Sequence, residues 1–200
     1  MINFNQLLRI SAIALASIAL LTTTAVAQSP AEGDHSHNHG IADDDAQAFE
    51  EVVRGIDILP ERQQLEERWP DAQQRLIEMA SDADRTVFER WRATSLLGNF
   101  VEPEVQQALI DLSGDDEPRI RAMAYYALGA AFLEDGDDGL FAHIKDGLDD
   151  DAERVPVRVV RSFGWTDHTE AHRLLEDIID GQYGDDLISH AERALERHSE

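Results

Sequence analysis

Three histidines alternate near the N-terminus in the segment HSHNH, where they are His35, His37 and His39, with acidic residues on either side. Imidazole is a ligand for Zn, Cu or Ni, and alternate residues of an extended chain project to the same side. Two of the three could therefore share one divalent ion, and a flexible segment would bind it weakly. The alternative is a hydrophilic spacer that is rich in histidine and has no metal role.

A second pair of histidines, His168 and His172, has the spacing that places both rings on one helix face within reach of a metal ion. Glu170 stands between them, so the motif is not HExxH and lacks the general base of a metalloprotease. The same residues also fit a helix N-terminus, with Asp167 as the cap and Glu170 three residues later in a capping box. We favour the helix N-terminus over the metal site.

Other motifs for catalysis or cofactor binding do not occur in the sequence. Without cysteine there is no disulfide, no thiolate metal site, no CxxCH haem attachment and no Cys/His nucleophile. There is also no GxSxG and no GxxxxGK[ST]. The acidic segment EDGDDG, residues 134–139, lacks the ligand and glycine positions of an EF-hand and predicts a solvated turn. We therefore expect no enzymatic activity and no cofactor.

The elements that carry these residues repeat along the chain. PDAQQRLIEMASDAD begins at Pro70 and PEVQQALIDLSGDDE begins at Pro103, and both glutamines, the Leu-Ile pair and one aspartate are identical at matched places. Proline at the first helical position, a following acid and apolar residues at helical spacing predict an amphipathic helix that ends at an acidic turn. Each copy is therefore one helix of a repeated unit.

The other helix of each pair follows the acidic turn. DRTVFERWRATSLLG, DEPRIRAMAYYALG and DAERVPVRVVRSFG end at Gly98, Gly129 and Gly164, and DDLISHAERALERH is a weaker fourth copy. In each copy a small or branched residue precedes an apolar anchor by four positions, so both lie on one helix face. We expect the three glycines to form left-handed helix C-caps. We also expect Trp91 and Trp165 to lie in the core.

The pattern of acidic turn, R-x-x-A and A-x-x-x-L-G, followed by an apolar second helix, resembles HEAT repeats, in particular the short phycobilisome-lyase-like kind. The resemblance covers about residues 70–198. It implies an all-α fold, a short right-handed α-solenoid of stacked antiparallel helix pairs whose second helices line a concave face and bind a protein. It also implies a ladder between neighbouring repeats, for which Asp84 with Arg90 and Asp115 with Arg121 match the pattern.

The N-terminal region has the pattern of an export signal. A weakly positive start with Arg9 precedes the apolar run Ile10 to Leu21, and Ala25-Val26-Ala27 fits a signal peptidase. We expect cleavage before Gln28 and a periplasmic or secreted protein, and the alternative is an uncleaved membrane anchor. The predicted organisation is a signal peptide over residues 1–27, a disordered His/Asp-rich linker over 28–45, N-terminal capping helices over 46–69 and HEAT-like repeats over 70–200.

The charge of the chain limits its partners. The 200 residues include 41 acidic and 17 basic residues, which gives a formal net charge of −24. Such a surface disfavours nucleic acid and, after signal cleavage, an anionic membrane surface. It favours a basic protein partner, although acidity of this kind would also suit a salt-adapted exported protein that has no such partner.

The predicted function is that of a non-enzymatic exported scaffold for protein–protein interaction. The alternative is a periplasmic metal-binding or metal-delivery protein that uses the histidine-rich segment, with weak divalent metal binding. For the scaffold, the candidate partner-binding residues are polar positions of the second helices: Gln73, Gln74, Gln106, Gln107 and Asp111.

Overall fold

The computed structural model describes residues 38–55 and 60–198, and these residues form helices and turns, without a strand. The helices belong to one compact unit, His39–Glu200. They are α1 (Asn38–Arg54), α2 (Arg62–Arg68), α3 (Ala72–Ser81), α4 (Val87–Leu97), α5 (Pro103–Leu112), α6 (Pro118–Ala131), α7 (Asp138–Asp146), α8 (Arg154–Ser162), α9 (Thr169–Ile179) and α10 (Asp185–His198). Single 3₁₀ turns follow α7 at Gly147–Asp149 and α8 at Phe163–Trp165. No helix of the described ranges is long and apolar enough to cross a bilayer.

The repeat seen in the sequence is also a repeat of burial. Helices α3 and α5 bury residues at matched places, since Ala72, Leu76 and Met79 correspond to Val105, Leu109 and Leu112. Their spacing of four and three residues gives each helix one apolar stripe. Two helices with such stripes bury them together, and a further repeat extends the same core. The prediction of a repeated amphipathic helix is confirmed.

The helices form two rows. Helix α3 packs on α4, α5 on α6 and α9 on α10, while α7 reaches α8 through the 3₁₀ turn Gly147–Asp149, which contacts both. Successive helices pack extensively in one row, α4, α6, α8 and α10, which we call the close row. In the other row, α3, α5, α7 and α9, packing between successive helices is weaker, and we call it the open row. All-helical stacking of this kind agrees with the predicted solenoid of helix pairs.

The glycines that end the A-x-x-x-L-G motif are not left-handed caps, which corrects the prediction. Gly98 has φ −61°, and the glycines of the described residues with positive φ are Gly136, Gly181 and Gly184. A Cβ placed on Gly129 would lie 2.1 Å from Ser162 Oγ, and one on Gly164 would lie 3.0 Å from Ala194 Cα. These glycines are therefore required because neighbouring helices of the close row approach them too closely for a side chain.

The N-terminal boundary also differs from the prediction. Helix α1 begins at Asn38, so the last eight residues of the predicted linker 28–45 are helical. Asp45 explains part of this, since it accepts a hydrogen bond from Trp69 Nε1 at 2.9 Å and pairs with Arg75 Nη2 at 2.8 Å, which ties α1 to the repeats. The predicted signal peptide and residues 28–37 of the linker lie outside the described residues. So do residues 56–59 of the predicted capping helices.

Pro70 does not begin its helix, although Pro103 does. The Trp69 carbonyl accepts a hydrogen bond from Ala72 N at 2.9 Å, so Pro70 occupies the second position of a turn, where its fixed φ is favourable. Helix α3 then begins at Ala72, two residues later than predicted, whereas Pro103 is the first residue of α5.

Candidate protein-interaction face

Two arginines join consecutive repeats through the acidic turns. Arg90 Nη2 contacts Asp115 Oδ2, and its Nε donates to the Ala80 carbonyl at 2.9 Å. Arg121 donates from Nε and Nη2 to the two oxygens of Asp150 at 2.7 and 2.9 Å. Each rung therefore runs from the arginine of one repeat to the aspartate of the next, as expected of a ladder between neighbours.

The aspartates of these rungs also shape their own turns. Asp115 Oδ1 accepts from Glu117 N at 2.9 Å, and Asp150 Oδ1 accepts from Ala152 N at 2.8 Å, which holds the chain at the start of α6 and α8. The hydrogen bonds from Arg121 are the main cause that holds the pKa of Asp150 below its usual value. At the two matching places of the later repeats the residues are Pro156 and Ile188, which carry no charge. The arginine of the motif is thus structural, and it fixes the spacing between repeats.

The five predicted partner-binding residues lie on the open row. Gln73 and Gln106 are half-buried at equivalent places of α3 and α5, and Gln74, Gln107 and Asp111 are exposed. Gln74 donates to Glu78 at 2.9 Å and Gln107 donates to Asp111 at 2.9 Å, each within one helical turn. The structure thus brings them together as two matched sets on neighbouring helices. No contact among the described residues assigns them a partner.

The two predicted histidine sites have different outcomes. His35 and His37 lie outside the described residues, while the backbone of His39 lies in the first turn of α1. His168 is buried as the N-cap of α9, where its Nδ1 accepts from Ala171 N at 3.4 Å, and His172 Nε2 is 3.0 Å from the Thr166 carbonyl. The helix N-terminus is confirmed, with His168 as its cap in place of Asp167. No group of three potential metal ligands occurs in the part of the chain that the structure describes.

The acidic segment before α7 is a turn, as predicted. Gly136 has φ +86°, and Asp137 caps α7 by accepting from Leu140 N at 3.0 Å. Asp135 Oδ1 accepts from Thr169 N at 3.0 Å, so this turn also holds the start of α9. The backbone hydrogen bond from Thr169 is the first cause that lowers the pKa of Asp135.

Arginines and aromatic residues that the sequence reasoning missed form a groove on the close row. It has a volume of about 310 Å³ and lies across α4, α6 and α8. Its lining residues are Phe88, Trp91, Arg119, Ala122, Met123, Arg154 and Arg158. Phe88 is 42% exposed and its ring centroid lies 6.1 Å from that of Trp91. A partly apolar cavity of this size with a few convergent polar groups has the usual features of a binding site.

Further arginines lie on the close row beyond this groove, toward the C-terminus. Arg158 lies over the ring of Tyr126 at 5.4 Å, and Arg197 lies over Trp165 at 4.1 Å. Trp165 is 49% exposed, which corrects the prediction that it belongs to the core, and its Nε1 donates to the Tyr126 hydroxyl at 2.8 Å. A smaller cavity of about 120 Å³ lies between α8 and α10. It is lined by Arg161, His190, Arg193, Ala194 and Arg197.

A signal for the groove was present in the sequence. Arg154, Arg158 and Arg161 follow the spacing i, i+4, i+7, which places all three on one face of α8. Helices α6 and α8 together carry five arginines and no acidic residue, although 41 of the 200 residues of the chain are acidic. The aromatic residues of the groove come from α4, one repeat earlier. The spacing of residues within one helix does not show that they meet the arginines of α6 and α8.

The comparisons with known proteins agree with this architecture. Residues 72–155, which run from α3 to the start of α8, match the family of HEAT repeats. Among curated proteins, none matches the chain. The matched segment contains both arginine–aspartate rungs and the repeated burial pattern of α3 and α5. This part of the chain is therefore similar to HEAT repeats, a kind of module that commonly acts as a scaffold for protein interactions.

Proposed function

We propose that this protein is an exported, non-enzymatic scaffold that binds a protein partner through its HEAT repeats, which are of the phycobilisome-lyase-like kind. The observation that carries the proposal is the repeat stack itself. Its two rungs and close-packed glycines hold successive helices in a defined register. A stack of repeats presents an extended, preformed surface, and such surfaces suit the recognition of another protein.

The bonding of the buried charged residues supports a non-enzymatic role. Glu89 accepts hydrogen bonds from Thr86 and pairs with Arg54, and buried Arg92 donates to the carbonyls of Val53 and Gly55. These bonds connect α1 to α4 and use the polar atoms for structure. A scaffold needs such rigidity, whereas an active site keeps a reactive group available to substrate.

The scaffold is tested by affinity capture from the native source. The full chain, tagged at its C-terminus, is recovered from periplasm and from culture supernatant at low and high salt, beside a variant that lacks residues 34–40. A partner that both proteins retain, and that re-forms a stoichiometric complex when purified, would support the scaffold. Loss of every partner, together with zinc or copper that is bound by the full chain and lost with the deletion, would favour metal handling by His35, His37 and His39.

Export is tested on the same material. N-terminal sequencing of the recovered protein should begin at Gln28, the residue after the proposed signal peptide. Recovery of the intact N-terminus in the membrane fraction would instead show an uncleaved anchor.

A further inference from the structure

The unpaired arginines of the close row are the most unusual feature of the surface. Seven other arginines of the described residues form ion pairs with carboxylates: Arg54, Arg62, Arg75, Arg85, Arg90, Arg121 and Arg173. The groove arginines Arg119, Arg154 and Arg158 pair with no carboxylate of the described residues. In a chain with 41 acidic residues, a groove free of carboxylates leaves three guanidinium groups available to an external anion.

Neighbouring positive charges lower the pKa values of two basic groups on the close row. Burial, followed by the charge of Arg161, lowers the pKa of Arg158. Burial, followed by the charges of Arg193 and Arg161, lowers the pKa of His190 in the adjoining cavity. Both shifts come partly from neighbouring positive charges that lack a counterion, so an anion on this face would relieve them.

The floor of the groove adds an apolar requirement. Ala122 and Met123 are 4% and 5% exposed, Trp91 is half-buried, and Phe88 stands exposed at the edge. A thioether beside aromatic rings adapts its shape to an apolar side chain, and the planar guanidinium groups around it fit carboxylates in a bidentate manner. The groove is thus complementary to a ligand in which carboxylates flank an apolar side chain.

We propose that the groove between α4, α6 and α8 binds an acidic peptide segment of a partner protein, with an apolar side chain on Met123 and carboxylates on Arg119, Arg154 and Arg158. This inference rests on the proposed scaffold function and names the chemistry of its partner. The net charge of the chain predicts a basic partner, whereas this groove predicts an acidic one. Recognition depends on the charges that lie beside the bound segment, and here these are arginines. A short peptide meets only the groove, whereas a nucleic acid would extend onto the acidic remainder of the surface.

The first experiment measures binding of a defined acidic peptide to the full chain. The probe is a dye-labelled peptide of repeated Asp-Asp-Leu units, followed by fluorescence anisotropy at low and high salt, with the Asn-Asn-Leu peptide as its uncharged match. The groove variant is Arg119→Gln, Arg154→Gln and Arg158→Gln combined. The matched control is Arg173→Gln, which removes an arginine of the open row that pairs with Glu170.

The acidic peptide should bind the wild type and the control equally. The groove variant should lose at least about tenfold in affinity, and high salt should weaken binding, since three charged contacts contribute. Thermal melts of all variants check that the fold is kept. Equal binding of the Asn-Asn-Leu peptide, unchanged binding by the groove variant, or no binding by the wild type would overturn the proposal. Tighter binding of a single-stranded oligonucleotide than of the acidic peptide would overturn the proposal and assign the groove to nucleic acid.

A second readout locates the peptide on Trp91. Binding should change the tryptophan emission of the wild type, and most of this change should be lost in Trp91→Phe, while Trp165, which donates to the Tyr126 hydroxyl beside Arg158, supplies any remainder. A change of undiminished size in Trp91→Phe would place the peptide elsewhere and overturn the assignment.

The affinity capture described above separates the two proposals. If the wild type and the groove variant capture the same partner equally well, the scaffold stands and the groove assignment fails. If neither captures a partner and the acidic peptide does not bind, both fail.

Discussion

Substitution of Gly129 by alanine tests whether the motif glycine is kept for close helix packing. The new Cβ would lie 2.1 Å from Ser162 Oγ and 2.6 Å from Ser162 Cβ. Ser162 is fully buried and its hydroxyl donates to the Val159 carbonyl at 2.7 Å, so it has no room to move away. Helices α6 and α8 must therefore separate, and this also moves Arg119 relative to Arg158 in the groove.

The expected cost follows from two opposing effects. Overpacking of a well-packed interior costs about 1–3 kcal/mol, and alanine in place of a helical glycine returns up to about 1 kcal/mol. The free energy of unfolding of Gly129→Ala should therefore fall by about 1–2 kcal/mol. In a unit of this size, that fall lowers Tm by roughly 2–8 °C.

Thermal and urea unfolding, followed by circular dichroism, measure the change, and two further variants make the result decisive. Gly139→Ala is the matched control, because a Cβ there meets nothing closer than Asp137 Oδ1 at 3.7 Å in the first turn of α7, so stability should stay or rise. Ser162→Gly removes both clashing atoms, and the double variant with Gly129→Ala should be more stable than the sum of the single effects predicts. Equal stability of Gly129→Ala and Gly139→Ala, or strict additivity in the double variant, would refute the packing explanation.

Two further predictions concern charged residues. Arg121→Gln should lower the free energy of unfolding by about 2 kcal/mol, because it leaves the half-buried Asp150 without its bidentate partner, while Arg173→Gln, from an exposed pair, should change it by less than about 1 kcal/mol. Equal effects of the two substitutions in urea unfolding would contradict a structural ladder. Glu89 has a pKa lowered from 4.5 to about 2, first by the hydrogen bond from the Thr86 side chain and then by Arg54, so its stabilisation is full above pH 4.5 and is lost as pH falls toward 2. Over that interval the wild type should lose roughly 3 kcal/mol relative to Glu89→Gln in urea unfolding at stepped pH, and a constant difference would show that Glu89 keeps its ordinary pKa.

The sequence allowed the repeat to be predicted because a helix in a stack must place apolar residues at fixed spacing. Leu76 and Leu109 therefore occur at matched places that the alignment of the two copies already identified. The prediction of left-handed caps at Gly98, Gly129 and Gly164 is wrong because glycine serves both left-handed caps and close helix contacts. Only the position of the neighbouring helix, which places Ser162 against Gly129, distinguishes the two.

The groove could not be predicted in full for a related reason. Its three arginines lie on helices that carry no acidic residue, which the sequence shows, but Trp91 and Phe88 come from another repeat. The prediction that the open-row glutamines bind a partner rests on their being polar positions of the second helices, and it stays a prediction. Identity between repeats indicates a shared structural environment, and the local bonds of Gln74 and Gln107 within their own helices fit this explanation. A binding surface instead depends on residues that differ from one repeat to the next.

The scarcity of basic residues in this chain supports a binding role for the arginines of the close row. With 17 basic residues against 41 acidic ones, an arginine placed at random on the surface would find a carboxylate nearby, and several of the described arginines do. Salt adaptation explains an acidic surface, but it does not explain why α6 and α8 carry five arginines and no acid. Arg121 pairs with Asp150, but the other four arginines of these two helices form no ion pair with a carboxylate of the described residues. A counterion supplied by another molecule accounts for it, and the groove variant measures whether that molecule is an acidic peptide.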